Sequence, residues 1–525
     1  MYQEVENGSS TLKKILTGIN LVARSVGSTI GPKGRNVVIS RNNDIPLITN
    51  DGVTIARRVN QVKDPWVNTG VQMIKQVSEK SDVVGDGTTT STVLAANMAS
   101  EALKHITVGI SPMDLKAQIQ VAYDKTMKEL EKLAIPVTTK EQLIQVATVS
   151  VEDEEMGKII GELMYDVGAD GAITVETSRD TKLEKVKTDG ISFGQGFHNY
   201  YYLQTVLERS RWEIDMKDVG IIVTNHTIED QDQIMAITEK LLQRGVKELV
   251  IVCDDMKDEA LQLTVENTQK RIFKYVVVRL PGLDEQRMQN GIDIAVACGA
   301  KFIDKDIDDL ESAEVEDLGS AKRVIVKAYE TVIVNGAGKK KDVNARVQEL
   351  KKEREISVYP EDRDRLKERI ARLSGGIGVI KVGTPTPSEL EYKQHKLEDG
   401  LAATRAASEE GVVPGGGIAL FNLYKEGKTP GEKIFYEALL SPIKQIAKNA
   451  GANPDTIIEK LREQPKSVGW NAKTGEYVDM IENGITDPVK VTKAALQNST
   501  SMAIMFLGIG SHIVNVEDID EKKER

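Results

Sequence analysis

Cysteine is scarce in this chain: two residues in 525, Cys253 and Cys298, with no CxxC spacing. That excludes a disulfide scaffold and a structural zinc site, and it points to a reducing compartment. No apolar run is long enough to span a membrane. The opening Met-Tyr-Gln-Glu-Val-Glu is polar and acidic, without a secretory or transit pattern. Basic charge is in short supply too, since 69 Lys and Arg stand against 80 Asp and Glu, a net charge of −11. Nucleic acid is therefore an unfavourable partner. These absences predict a cytoplasmic protein with no nucleic-acid partner and no membrane partner. The pattern GxxxxGK[ST] is missing as well, because Gly336-Ala337-Gly338-Lys339 has neither its spacing nor its hydroxyl.

What the chain does have is length: 525 residues are too many for one core, so two or three domains are predicted. Up to about Leu133 it reads as mostly helical, with Leu12, Ile15, Leu16, Ile19, Val22 and Val26 at helical spacing. From Val219 onward, strand-like runs such as Gly220-Ile221-Ile222-Val223 and Tyr275-Val276-Val277-Val278 alternate with helical stretches, the pattern of a separate α/β domain. Residues 338–373 are dense in charge and broken at Pro360, which predicts two solvated helices without a binding role. The predicted class is multidomain, α/β and mostly helical.

The most informative stretch is Gly85-Asp86-Gly87-Thr88-Thr89-Thr90-Ser91-Thr92, just before an apolar helical pattern. Its glycines let backbone amides approach a ligand closely. Thr88, Thr89 and Thr90 would open the helix, where unpaired N–H groups and the helix dipole favour an anion. Asp86 suits a hard cation; beside phosphates a carboxylate needs Mg²⁺ between them. The loop therefore reads as a cradle for a metal–nucleotide complex, with a Thr-rich helix cap as the alternative. A second turn, Thr29-Ile30-Gly31-Pro32-Lys33-Gly34-Arg35, is either a helix stop or a further set of amides and cations for a nucleotide. Asp51, in Thr49-Asn50-Asp51-Gly52, is either an Asx-turn residue or a second catalytic carboxylate.

These segments occur together with Asp399 and with Ala406 to Gly417, which ends Val-Val-Pro-Gly-Gly-Gly, in an order and spacing that resembles the group I chaperonins of the GroEL type. The resemblance runs over essentially the whole chain, including Gly171-Ala172-Ile173-Thr174-Val175-Glu176 and Asp487-Pro488-Val489-Lys490-Val491-Thr492. It implies an equatorial ATPase domain from 1–132 and 409–525, an intermediate hinge domain from 133–188 and 376–408, and an apical substrate-binding domain from 189–375. It also implies ATP and Mg²⁺ as cofactors, with K⁺ as a further expectation. By the same resemblance Asp399 is the general base that orients the attacking water, with Asp51 as second carboxylate and Asp86 as metal ligand. Gly87, Thr88, Thr89 and Thr90 with Thr29, Ile30, Gly31 and Pro32 form the phosphate cradle; Gly415, Gly416, Asn471, Ala472, Ile485 and Asp487 contact the nucleoside. For Asp399 the alternative is a helix N-cap ahead of Leu401-Ala402-Ala403.

Phe197, Tyr201, Tyr202, Ile234, Met235 and Val265 match the family's client-binding groove, so the implied partners are unfolded or misfolded proteins, a homo-oligomeric ring of seven subunits and a co-chaperonin lid. The chain departs from the family at several places. Asn50 stands where lysine is usual, removing a cation near the phosphates. Thr238, Thr264 and Glu266 replace exposed aliphatic residues, which predicts a more polar groove. Lys444 with Asn453, and Gln195 with Pro387, no longer form charged pairs, which predicts labile contacts between rings and between neighbouring subunits. The end Glu-Lys-Lys-Glu-Arg lacks the family's Gly-Gly-Met tail, so the cavity floor is expected to differ. A ring-forming ATP-binding scaffold without refolding activity, and a simple ATP-dependent enzyme such as a kinase, are the alternative functions.

Overall fold

The computed structural model describes residues 2–41, 44–59, 62–82, 87–168, 171–178, 182–205, 208–209, 212–243, 245–282, 285–357 and 359–516. The chain forms two compact units, one made of Met1–Tyr165, Thr177–Leu183 and Val382–Arg525, the other of Asp166–Glu176 and Glu184–Lys381. The fold is multidomain and mixed α/β, as the sequence pattern predicts.

The first unit is built from helices. In Ser9–Gly27 the predicted stripe is what is buried: Leu12, Ile15, Ile19, Val22 and Val26 have almost no exposure, and they pack on Val71, Ile74 and Val77 of Pro65–Asp82. The helix Thr88–Thr107 lies between this layer and a second cluster formed with Pro112–Lys132, Pro430–Leu439 and Val489–Leu507. Leu94 and Met98 are wholly buried in that second cluster. Short antiparallel ribbons join distant segments, Tyr2–Asn7 with Ser511–Val516 and Val412–Pro414 with Thr486–Pro488, while Val37–Arg41 pairs with its neighbour in sequence, Asp44–Thr49. No helix among the described residues is long and apolar enough to cross a membrane.

The second unit is centred on a sheet whose neighbours run Lys274–Arg279, Glu248–Cys253, Glu213–Thr224, Gly319–Lys327, Thr331–Gly336 and Gly190–Phe193, with Phe302–Ile303 added on Glu213–Thr224. The first three strands are parallel and the next three antiparallel. Parallel neighbours need crossovers, and the helices Asp232–Gln243 and Asp258–Gln269 supply them. Val250, Ile251, Val276 and Val277 are completely buried, which accounts for strands that read as continuous apolar runs.

The charge-dense segment forms the two helices Lys340–Ile356 and Pro360–Gly375, broken at Pro360 as predicted. Their charges are not all solvated. Arg346 and Arg369 turn inward onto Asp293, whose side chain is 5% exposed: Arg346 Nε donates to Oδ1 at 2.9 Å and Arg369 Nε to Oδ2 at 2.7 Å. A buried carboxylate requires such partners, so these two arginines pin both helices to Glu285–Cys298.

Candidate functional site

Within the first unit lies a cavity of about 630 Å³ whose walls come from segments far apart in sequence. One wall starts at Gly87, which has φ 84° and ψ 4°, a left-handed conformation that only glycine adopts at no steric cost. Gly87 is the N-cap of the helix Thr88–Thr107 and, as glycine, brings no side chain to its first-turn amides. Ser91 and Thr92 turn away from the cavity to bond Ser81 at 2.8 Å and Ser78 at 3.0 Å on the neighbouring helix. Thr89 faces the other way, with its hydroxyl 3.4 Å from that of Thr29.

The Thr29–Pro32 turn is held from outside. Asn449 Nδ2 donates to the carbonyls of Gly27 and Ile30, each at 2.9 Å, a support that the local sequence does not reveal. Asp51 is the N-cap of Gly52–Arg58, with Oδ1 accepting from Val53 N at 3.1 Å and Oδ2 from Thr54 N at 2.9 Å. The capping role is real, and the same carboxylate lines the cavity. Beside it, Asn50 Oδ1 is buried and has no hydrogen-bond partner among the described residues.

Asp399 is not an N-cap. It lies in the middle of the helix Pro387–Glu410 and lines the cavity. The helix comes this close because residue 400 is glycine: a Cβ there would stand 2.4 Å from Val151 Cγ1 and 2.8 Å from Ile160 Cδ1. At the far end, the Val412–Pro414 and Thr486–Pro488 ribbon sets Val413 opposite Asp487, and Gly415 N donates to Ile485 O at 2.9 Å. Asn471 Oδ1 accepts from Lys473 N at 2.9 Å and Thr474 N at 3.4 Å, fixing the turn that presents Ala472.

Of the residues singled out in the sequence, Thr29, Ile30, Gly31, Pro32, Asp51, Gly87, Thr88, Thr89, Thr90, Asp399, Gly416, Asn471, Ala472, Ile485 and Asp487 all line this one cavity. Gly415 does not line it but abuts Asp487, whose Oδ1 would be 3.0 Å from a Cβ on that glycine. Asp86 lies outside the described residues. The sequence reading missed one wall, formed by Val146, Thr148 and Glu152 at the helix Lys140–Val151, and by Lys396. Among the described residues the lining carries five carboxylates, Asp51, Glu152, Glu154, Asp399 and Asp487, against two ammonium groups, Lys396 and Lys473. A polyphosphate fits such a lining only with a divalent cation between, and the donors are the hard oxygens that Mg²⁺ prefers. No cluster of three or more His, Cys, Asp or Glu with metal-site geometry occurs among the described residues. Mg²⁺ does not need one, because phosphate oxygens and water complete its shell.

Comparison with protein-family models matches residues 22–517 to the TCP-1/cpn60 chaperonin family. The chain belongs to that family. Chaperonins in general are ring-forming ATPases that act on unfolded client proteins.

In this chaperonin the residues expected to meet clients fall in the second unit, and they divide into surface and core. Tyr201 is 49% exposed and Met235 39%. Phe197 is partly buried and stacks on exposed Trp212, ring centroids 6.3 Å apart. Val265 is also partly buried. Tyr202 and Ile234, by contrast, have no exposed surface and belong to the core. The expectation of a more polar groove is corrected at two positions. Thr238 and Thr264 are buried, their hydroxyls 2.8 Å from those of Tyr275 and Tyr202 respectively. Burial pushes the Tyr202 phenol well above its ordinary value, so it stays a neutral partner. Only Glu266 of the three is on the surface, bonded to Lys270 at 2.7 Å. Exposed Tyr200, Trp212 and Ile272 offer apolar surface that the sequence reading did not name. Asn453 caps the helix Pro454–Arg462, its Oδ1 accepting from Asp455 N at 3.0 Å.

Proposed function

We propose that this chaperonin is of the group I type and couples Mg-ATP hydrolysis to the folding of non-native proteins inside a homo-oligomeric ring. The observation that carries the reading is the convergence of Thr29–Pro32, Asp51, Thr88–Thr90, Asp399 and Asp487 on one cavity. In this reading the first-turn amides after Gly87 and the Thr29 turn hold the phosphates, and Asn471, Ala472, Ile485 and Asp487 hold the nucleoside. Asp399 orients a water whose oxygen bonds to the γ-phosphorus. The bond from that phosphorus to the bridging oxygen breaks, ADP leaves with the electron pair, and the water's proton passes to the Asp399 carboxylate. Mg²⁺, when bound with the nucleotide, neutralises phosphate charge; K⁺ is proposed as a second ion.

The proposed division is an equatorial domain of 1–132 and 409–525, an intermediate domain of 133–188 and 376–408, and an apical domain of 189–375. Asp399 then travels with the intermediate domain, so that hydrolysis is gated by its movement. Clients would be captured on the exposed aromatic and aliphatic side chains near Phe197, Tyr201 and Met235, burying apolar surface on both partners. A co-chaperonin lid, rings of seven subunits and a cytoplasmic location complete the proposal. It is tested by the native mass of the purified protein with and without ATP. Multiples of seven subunits support the ring, and a monomer under both conditions contradicts it.

A further inference from the structure

Lys396 belongs to the cavity wall that the nucleotide reading leaves unused. It precedes Asp399 by three residues in the helix Pro387–Glu410, so the two side chains leave one helix face about 5–6 Å apart. Both line the cavity. The Lys396 side chain is only 12% exposed, and its Nζ pairs with Glu152 Oε2 at 3.7 Å. A charge-assisted hydrogen bond is about 2.7–2.9 Å long, so this largely buried side chain holds only a loose ion pair with a partner that is itself 42% exposed.

The cavity needs a cation on this side. The other lining ammonium, Lys473, is exposed and sits in the turn that follows Asn471, at the nucleoside contacts. Position 50, next to Asp51 on the lining, is an asparagine and carries no charge. A terminal phosphate placed against Asp399 adds negative charge to a wall already rich in carboxylates, and charge developing there during phosphoryl transfer is stabilised by a nearby cation.

We infer that Lys396 exchanges Glu152 for the terminal phosphate of the bound nucleotide, so that the helix carrying Asp399 reads ATP against ADP. The inference rests on the reading of the cavity as an ATP site. ADP has no phosphate for Lys396 to reach, so Glu152 keeps it in that state.

The test is titration of the full-length protein with Mg-AMP-PNP and with Mg-ADP, for wild type, Lys396→Gln, Lys396→Arg and Glu152→Gln. Lys396→Gln is expected to lose roughly tenfold or more in AMP-PNP affinity, the scale of a hydrogen bond to a charged group, while ADP affinity is unchanged. Lys396→Arg restores the preference for AMP-PNP, and Glu152→Gln holds or strengthens it. Equal losses for both nucleotides in Lys396→Gln, an unchanged ratio, or a weaker preference in Glu152→Gln would overturn the inference while leaving the ATP reading intact. A wild-type protein that binds neither nucleotide would instead defeat the ATP reading itself.

Discussion

The phenol oxygen of Tyr202 lies 2.8 Å from the hydroxyl of Thr264, and neither residue has exposed surface. The pair ties the helix Asp258–Gln269 to the turn Tyr200–Tyr202 through a bond that water cannot replace. Leaving a buried hydroxyl unpaired costs about 1–3 kcal/mol, whereas removing both hydroxyls together costs little. Thr264→Val is therefore expected to lower thermal stability, and adding Tyr202→Phe to recover most of it. A double-mutant cycle by thermal melting checks this, and additive losses would contradict it.

Asp399 stands on the cavity wall because Gly400 lets its helix approach Val151 and Ile160. Asp399→Ala should keep ATP binding and lose about 100-fold or more in turnover, the scale of a general base. Gly400→Val should lower turnover too, through displacement of the helix. Both are read by steady-state ATPase assay alongside nucleotide titration. Undiminished hydrolysis in Asp399→Ala would remove that residue from the reaction.

Asp293 accepts from two arginines whose side chains are 11% and 12% exposed. Asp293→Ala removes the carboxylate partner of Arg369 and leaves it with Gln289, while Arg346 retains Glu349 Oε2 at 2.7 Å and Gln289 Oε1 at 2.7 Å. The expected loss is about 3–5 kcal/mol, the range for breaking a buried ion pair from one side. Chemical denaturation measures it, and a shift no larger than that of a surface substitution would show that the arginines find water instead.

His512 stands edge-on to Trp66, ring centroids 4.9 Å apart, and its Nε2 lies 2.9 Å from Thr69 Oγ1. Burial pushes its imidazole below the ordinary value; Glu6 opposes the shift and Lys14 adds to it. A lowered folded value means that the unfolded chain takes up the proton more readily. The stabilisation is thus complete above the ordinary value of 6.5 and is lost as pH falls through the folded one. The ribbon between Tyr2–Asn7 and Ser511–Val516 should loosen on acidification below about pH 6, with a change in Trp66 fluorescence. His512→Gln should flatten that pH profile, and an unchanged profile would contradict the assignment.

Much of the site was legible because its residues sit in turns whose chemistry is local. Gly87, Gly31 and Asp51 carry their conformational requirements in their own identity. What was not legible depends on packing between distant segments. Thr238 and Thr264 read as polar surface, since threonine suits either environment, and only Tyr275 and Tyr202 decide that they are buried. Arg346 and Arg369 are hidden in a run of charges, their inward turn set by Asp293 more than fifty residues away. Lys396 shares a helix face with Asp399, a signal present in the spacing, but it acquires meaning only once one helix is known to run unbroken from Pro387 to Glu410. The α/β middle was legible because a strand covered on both faces must be apolar at every position, and such runs alternate here with helical stretches.

The central claim is that ATP turnover at Asp399 drives folding by this chaperonin, and the recovery of a chemically denatured enzyme measures it most directly. Recovery is followed with wild type and with Asp399→Ala, each with and without Mg-ATP and a lid co-chaperonin. The account predicts ATP-dependent recovery with wild type and, over repeated cycles, little with Asp399→Ala. Capture of the denatured enzyme without any ATP-dependent release, or equal recovery with both proteins, would contradict it.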